Sequence, residues 1–446
     1  MTSTFTQAPE RHVEAPLTLT DQPPRTLGLW AQTAMWASFG ITLFGPLTGA
    51  LVALSVGSLS GGLLACAIGT VIGAALLGGA AAIGAKLGTP SMVCLRGLLG
   101  RRVSILPTVL NIGQDVGWAA MEIIVITGAA VTILGDAWRW PFIIGAGALT
   151  TIMAIRPLGS VTILRRIMLW LVLAGSVYLF IMVLRQPAHP IPQDSVIGLW
   201  PAVDLAAAQV VSFAPLAADY SRHSKTTRNA FTGASFGYGI AIFAYYCLGV
   251  FAVGHLTGDL SGTHLLAALM ALPAGAIALA LLLFDELDDA FADVYSATVS
   301  VHNIAPRVDR RIIAVVMGIC STALASVLSF DQYESFLYLI GSAFVPLFAV
   351  AVVDFFLVSH GHWNTSPDAR FRWAPAVAWA IGFLSYQLIY PGTVPGWSDM
   401  WSSVQALFGV HPPAWLGSTV GSMVIAGAAA WILGAIAARL PGRAAG

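Results

Sequence analysis

Residues 284–300 read FDELDDAFADVYSATVS. They follow an almost wholly apolar run, 271–283, and continue to His302 and Pro306 with no intervening turn signal. The spacing predicts one membrane-length helix over 273–303. Five carboxylates sit at or near its middle: Asp285, Glu286, Asp288, Asp289 and Asp293. One carboxylate at bilayer depth already costs a few kcal/mol on insertion scales. Several together must face a polar cavity, a cation or one another. At about 100° per residue, Glu286, Asp289 and Asp293 share one face, while Asp285, Asp288 and Ser296 share the next. A polar loop between two shorter apolar segments is the alternative, but no Gly or Pro interrupts the acidic stretch. The helix reading makes it the wall of an ion or substrate path.

Composition supports a membrane setting. Of 446 residues, 57% are hydrophobic and only 9% charged, against about 25% charged in soluble domains. The chain is expected to be an all-α polytopic membrane protein in the lipid bilayer. Its formal net charge of zero carries no sign of nucleic-acid binding. Cys66, Cys94, Cys247 and Cys320 show neither metal-ligand spacing nor a disulfide framework. Residues 1–26 are polar and Pro-rich without an apolar h-region, which reads as a cytosolic tail.

Twelve spans are expected, near 28–55, 59–84, 105–134, 140–157, 162–184, 198–219, 230–256, 273–302, 312–329, 334–358, 373–391 and 415–438. With the N-terminus inside, the basic residues fall in inside loops: Lys86, Arg96, Arg101 and Arg102; Arg156, Arg165 and Arg166; Arg222, Lys225 and Arg228; Arg307, Arg310 and Arg311; Arg370 and Arg372. Arg11, Arg25, Arg439 and Arg443 lie in the tails. Of the 21 basic residues only Arg139 and Arg185 fall outside, as the positive-inside rule requires. One span more or fewer would scramble that alternation. The expected setting is therefore the cell inner (plasma) membrane, multi-pass, with both termini cytoplasmic.

Span 1 carries Gly40, Gly45-Pro46 and Gly49 in mid-membrane, and span 6 carries Ala214-Pro215 after Ser212-Phe213. Proline removes a helix hydrogen bond and glycine loosens the turn. Two interrupted helices five apart point to an inverted-repeat secondary transporter with its site at the breaks; two ordinary proline kinks are the other reading. Span 3 adds Asn111, Gln114, Asp115, Trp118 and Glu122. Asp115, Trp118 and Glu122 lie at i, i+3 and i+7, on one face. Span 3 is the repeat-mate of span 8, so both polar clusters fall on equivalent helices. An indole one turn from a buried acid suits a flat heteroaromatic ring: the face stacks and the acid accepts ring N–H donors. Trp118 as plain packing and Glu122 as a structural acid remain alternatives.

Four blocks, in order, resemble the nucleobase:cation symporter-1 family of purine, cytosine, allantoin and hydantoin permeases. GTPSMVCLRGLLG (88–100) resembles its cytoplasmic segment after span 2, and NIGQDVGWAAME (111–122) its span 3 signature. SFAPLAADYSR (212–222) resembles its span 6 ending, and FLYLIGSAFVPLFAVAVVDFF (336–356) its span 10 block. The resemblance implies a LeuT-like 5+5 inverted repeat plus two C-terminal helices. The parts would be a cytosolic tail (1–26), a first repeat (27–184), a second (198–358), two added helices (373–438) and a second cytosolic tail (439–446).

It also implies import of a cytosine-, purine- or hydroxymethylpyrimidine-like heterocycle with H⁺ or Na⁺, with no other cofactor and no catalytic residue. Trp118 and Glu122 match the family's stacking Trp and its amide four residues on, here an acid. Ser212 and Phe213 fall near the span 6 aromatic. In span 8, Asp288, Asp289 and Asp293 replace Ser, Thr and Asn, a version most similar to the cytosine and hydroxymethylpyrimidine branch. The expected substrate-binding set is Trp118, Glu122, Asp115, Ser212, Phe213 and Asp293. The expected cation-binding or coupling set is Gly40, Asp285, Asp288 and Asp289. An amino-acid or amine symporter on the same fold stays open, since acids suit a cationic substrate. A membrane-embedded enzyme is the distant alternative, with no HExxH or comparable pair among the nine histidines.

Overall fold

A computed structural model describes residues 23–155, 162–194, 196–260, 262–413 and 415–439. Arg11, Arg156, Arg443, the side chains of Arg165 and Arg166, and most of both expected tails lie outside the described residues.

The described chain is helical, with one isolated β-bridge between Leu27 and Ser224. The expected first span is two helices, α1 (Leu29–Phe39) and α2 (Phe44–Val56), bent by 65°. Then come α3 (Leu59–Leu87), the short α4 (Ser91–Leu99), α5 (Ile105–Leu134), α6 (Arg139–Ile155) and α7 (Thr162–Leu184). The expected sixth span is α8 (Leu199–Val211), a 3-10 turn at Ala214–Leu216, and α9 (Ala217–Ser221). The chain continues through α10 (Thr227–His255), α11 (Thr263–Met270), α12 (Gly275–Ile304) and α13 (Arg310–Val327). It closes with α14 (Tyr333–Val353), extended by a π-turn over Asp354–Val358, then α15 (Trp373–Ile389), α16 (Trp397–Phe408) and α17 (Ser418–Arg439).

Helices stand at all twelve expected positions. Among the described residues, eight are long and apolar enough to cross a membrane, nine with the bent α1–α2 pair. The acid-rich α12 is too charged to pass that test, and α15 and the apolar part of α7 are shorter. The short helices α4, α11 and α16 were not foreseen, because each is too brief to show a membrane-length apolar run.

The two interruptions differ. The first falls at residues 40–43, ahead of Gly45-Pro46. Pro46 lies in the first turn of α2, where a missing N–H leaves no hydrogen bond unmade. The second is a tight turn without a sharp bend: Leu199–Ser221 runs as one largely buried span. Close backbone approach fixes α2. A Cβ on Gly249 of α10 would lie 1.9 Å from the Pro46 carbonyl oxygen, so only glycine allows that crossing.

At one end of the bundle α4 is buried along its whole length. The Ser91 N–H and the Ser296 hydroxyl both donate to Asp219, each at 2.8 Å. Arg96 donates to the Asn303 carbonyl at 3.0 Å, and burial pushes its pKa down to about 10. Arg372 grips Asp354 through two 2.8 Å bonds and reaches the Gly97 carbonyl at 3.0 Å. At the opposite end Asp204 of α8 accepts the Thr419 and Val420 N–H groups, capping α17.

Candidate functional site

The interruptions, α5 and α12 meet around one small cavity, well below the size of an open small-molecule site. The first break contributes Thr42 and Phe44, and α5 contributes Trp118 and Glu122. Gln209, Ser212, Phe213 and Leu216 come from the second interruption, and Asp289 and Asp293 from α12. Free room at the centre is about 10 Å³, roughly one water. A ring-sized ligand therefore enters only when the aromatic walls part.

Packing holds those walls. The Trp118 indole meets Phe44 edge-on at 5.5 Å, Phe336 at 5.3 Å and Tyr333 at 6.0 Å. Phe44 stacks on Phe330 at 5.8 Å. Tyr333 is held by a 2.9 Å hydrogen bond with Thr48. Phe213 rests against Tyr238 at 4.9 Å and Phe39 at 6.1 Å. The turn that presents Phe213 is fixed from α5, where the Gln114 amide donates to the Ser212 carbonyl at 3.1 Å.

The polar lining is less satisfied. Trp118 Nε1, Glu122 Oε2, Gln209 Oε1 and Asp289 Oδ2 are buried without a hydrogen-bond partner. Buried polar atoms are nearly always paired. Four such atoms face one cavity, where a water or the polar groups of a ligand can pair them.

Beside the cavity, α12 reaches into the first break. Glu286 is fully buried and accepts from the Leu43 N–H and, at 3.3 Å, from the Thr42 hydroxyl. The Glu122 and Glu286 carboxyl groups also lie within hydrogen-bonding reach of each other. Glu286 thus joins the first break, α12 and the cavity.

Of the residues expected from sequence, Trp118, Glu122, Ser212, Phe213, Asp289 and Asp293 come together around this space. Asp115 does not. It shares the Trp118 face by spacing, but it is buried lower on α5 and accepts from Asn111 at 3.1 Å. Asn111 in turn donates to Ser300 at 3.0 Å. Asp115 therefore belongs to the α5–α12 seam, outside the lining.

Gly40 ends α1 and faces α10, where a Cβ would lie 2.8 Å from that of Ala241. Helix packing accounts for this glycine, and it does not line the cavity. Asp285 and Asp288 are half-buried on the adjoining face of α12, likewise outside the lining. Ser296 parts from them and bonds Asp219, because at its level α9 covers that face. Sequence reasoning missed Thr42, Phe44, Gln209 and Leu216. Only Gln209 had a signal: an amide in an apolar run, one turn before Ser212.

Known proteins bear out the outline. Residues 21–384 match the family described as permeases for cytosine/purines, uracil, thiamine and allantoin. YxlA of Bacillus subtilis, a protein named for the purine-cytosine permeases, is 23% identical over 344 residues, 70% of this chain and 74% of that one. The structure is similar to Mhp1, a nucleobase-cation-symport-1 family transporter solved closed with bromovinylhydantoin bound. That match has a TM-score of 0.71 at 16% identity and covers 95% of this chain and 96% of Mhp1. A Na⁺-coupled sialic acid symporter matches at TM-score 0.54 and 14% identity, over 92% of this chain and 96% of that one.

Proposed function

The chain belongs to the permeases for cytosine/purines, uracil, thiamine and allantoin, the nucleobase:cation symporter-1 family, and on that premise we propose that it imports a flat nitrogen heterocycle by cation symport. The observation that carries this reading is the cavity at the two helix interruptions, where aromatic rings and unpartnered polar atoms face one space. A planar base would stack on Trp118 and Phe213 and hand its N–H donors to Glu122 and Gln209. The membrane-embedded enzyme reading has no support in a family of permeases.

Coupling would run through Glu286. It bonds the first break and touches Glu122, so a cation arriving beside it alters both the hinge and the substrate wall. Two carboxyl groups can hydrogen bond to each other only through a shared proton, which favours H⁺ over Na⁺. The remaining parts of the reading are twelve spans in the inner membrane, both termini cytoplasmic, and the 27–184 and 198–358 segments as inverted repeats. Labelled cytosine supplied to proteoliposomes tests it. Accumulation against the gradient, abolished by an uncoupler, is the expected result; uptake that only equilibrates would remove symport.

A further inference from the structure

The charge balance of the cavity is lopsided. Glu122, Asp289 and Asp293 line it, and Glu286 touches Glu122. Among the described residues that line it there is no Lys, Arg or His. Even with one proton shared within each neighbouring pair, Glu122–Glu286 and Asp289–Asp293, a neutral base travelling with one cation leaves a negative charge unanswered. The aromatic lining points the same way, since the faces of Trp, Tyr and Phe attract cations. The acids are also aimed at a ligand rather than merely close together. Glu122 Oε2, Asp289 Oδ2 and Gln209 Oε1, on side chains at most 5% exposed, have no partner and border the space. All three are hydrogen-bond acceptors, so they want N–H donors.

We infer that the substrate is a positively charged flat heterocycle, a ring bearing a quaternised or protonated nitrogen together with N–H donors. The ring lies against Trp118 and Phe213, and its charge is held between Glu122 and Asp289. This deepens the transport reading above and rests on it. It separates the chain's substrate from neutral bases by charge, where ring shape would not.

Matched pairs of compounds test the inference on the full-length protein in proteoliposomes. The fixed cations 1-methylnicotinamide and 1-methyl-3-aminopyridinium compete against their neutral counterparts nicotinamide and 3-aminopyridine, with whichever compound is taken up supplied as the labelled tracer. The fixed cations should compete at least about tenfold better, the scale of a desolvated cation on an aromatic face. Glu122→Gln and Asp289→Asn should each shrink that ratio, because the fixed cations lose more affinity than the neutral compounds do. Neutral compounds that compete as well as the cations would overturn the charge inference and leave the transport reading intact. If no flat heterocycle of either charge is taken up, both fall. A variant that fails to fold is identified by size-exclusion chromatography, and the wild-type competition ratio then decides alone.

Discussion

The Leu43 backbone N–H donates to the Glu286 carboxylate across the break between α1 and α2. A side chain from the middle of one membrane helix thus caps the start of another. The cap satisfies an N–H that the bilayer could not, and its negative charge suits the positive end of α2. The position of this acid is set by that bond, and its contact with Glu122 follows.

Replacing Glu286 should test the hinge. Glu286→Ala leaves the Leu43 N–H without its acceptor and the Thr42 hydroxyl proton without its own, while Thr42 still accepts from the Phe44 N–H, a loss of about 1–3 kcal/mol. Glu286→Gln keeps an acceptor and should lose less. Thermal unfolding in detergent should rank wild type above Gln above Ala. Equal midpoints for all three would mean that the bond carries no weight.

Trp118→Ala should weaken substrate binding by roughly 1–3 kcal/mol, the scale of base–aromatic stacking, and Trp118→Phe should retain much of it. Equilibrium binding measures both. Wild-type affinity in the two variants would place the substrate elsewhere.

The coupled ion can be separated by a gradient experiment. Asp289 and Asp293 sit one turn apart in the same cavity wall, so both cannot ionise cheaply in a low-dielectric site. With Na⁺ absent, an inward proton gradient should drive accumulation in proteoliposomes. Asp289→Asn should abolish accumulation, while exchange of a neutral substrate persists. Strict dependence on Na⁺ with no response to pH would sink the proton version.

Asp204 ties the second interrupted span to α17 through two backbone N–H groups and the Ser418 hydroxyl. Asp204→Ala should destabilise the protein by about 1–3 kcal/mol, because those donors have no other partner in the packed interior. Asp204→Asn should restore part of the loss. Both are read as shifts in the unfolding midpoint, with substrate affinity unchanged. A loss of affinity at unchanged midpoint would instead assign Asp204 to the substrate path.

Much of this protein was legible before folding was considered. Apolar run lengths marked the helices, since a helix is the simplest way to satisfy backbone polar groups in lipid. Gly40 and Pro215 flagged the two interruptions because proline and glycine act locally. A period of 3.6 residues put Trp118 with Glu122, and Glu286 with Asp289 and Asp293. Periodicity says which residues share a face, not what covers it. Asp115 shares the Trp118 face yet is drawn into the α5–α12 seam by Asn111. Ser296 leaves the Asp285–Asp288 side because α9 packs at its level. Glu286 at the hinge, Gly40 against α10, and Thr42, Phe44 and Gln209 around the cavity each depend on contacts between residues far apart in the chain. Those contacts exist only after the helices dock, so tertiary structure alone decided them.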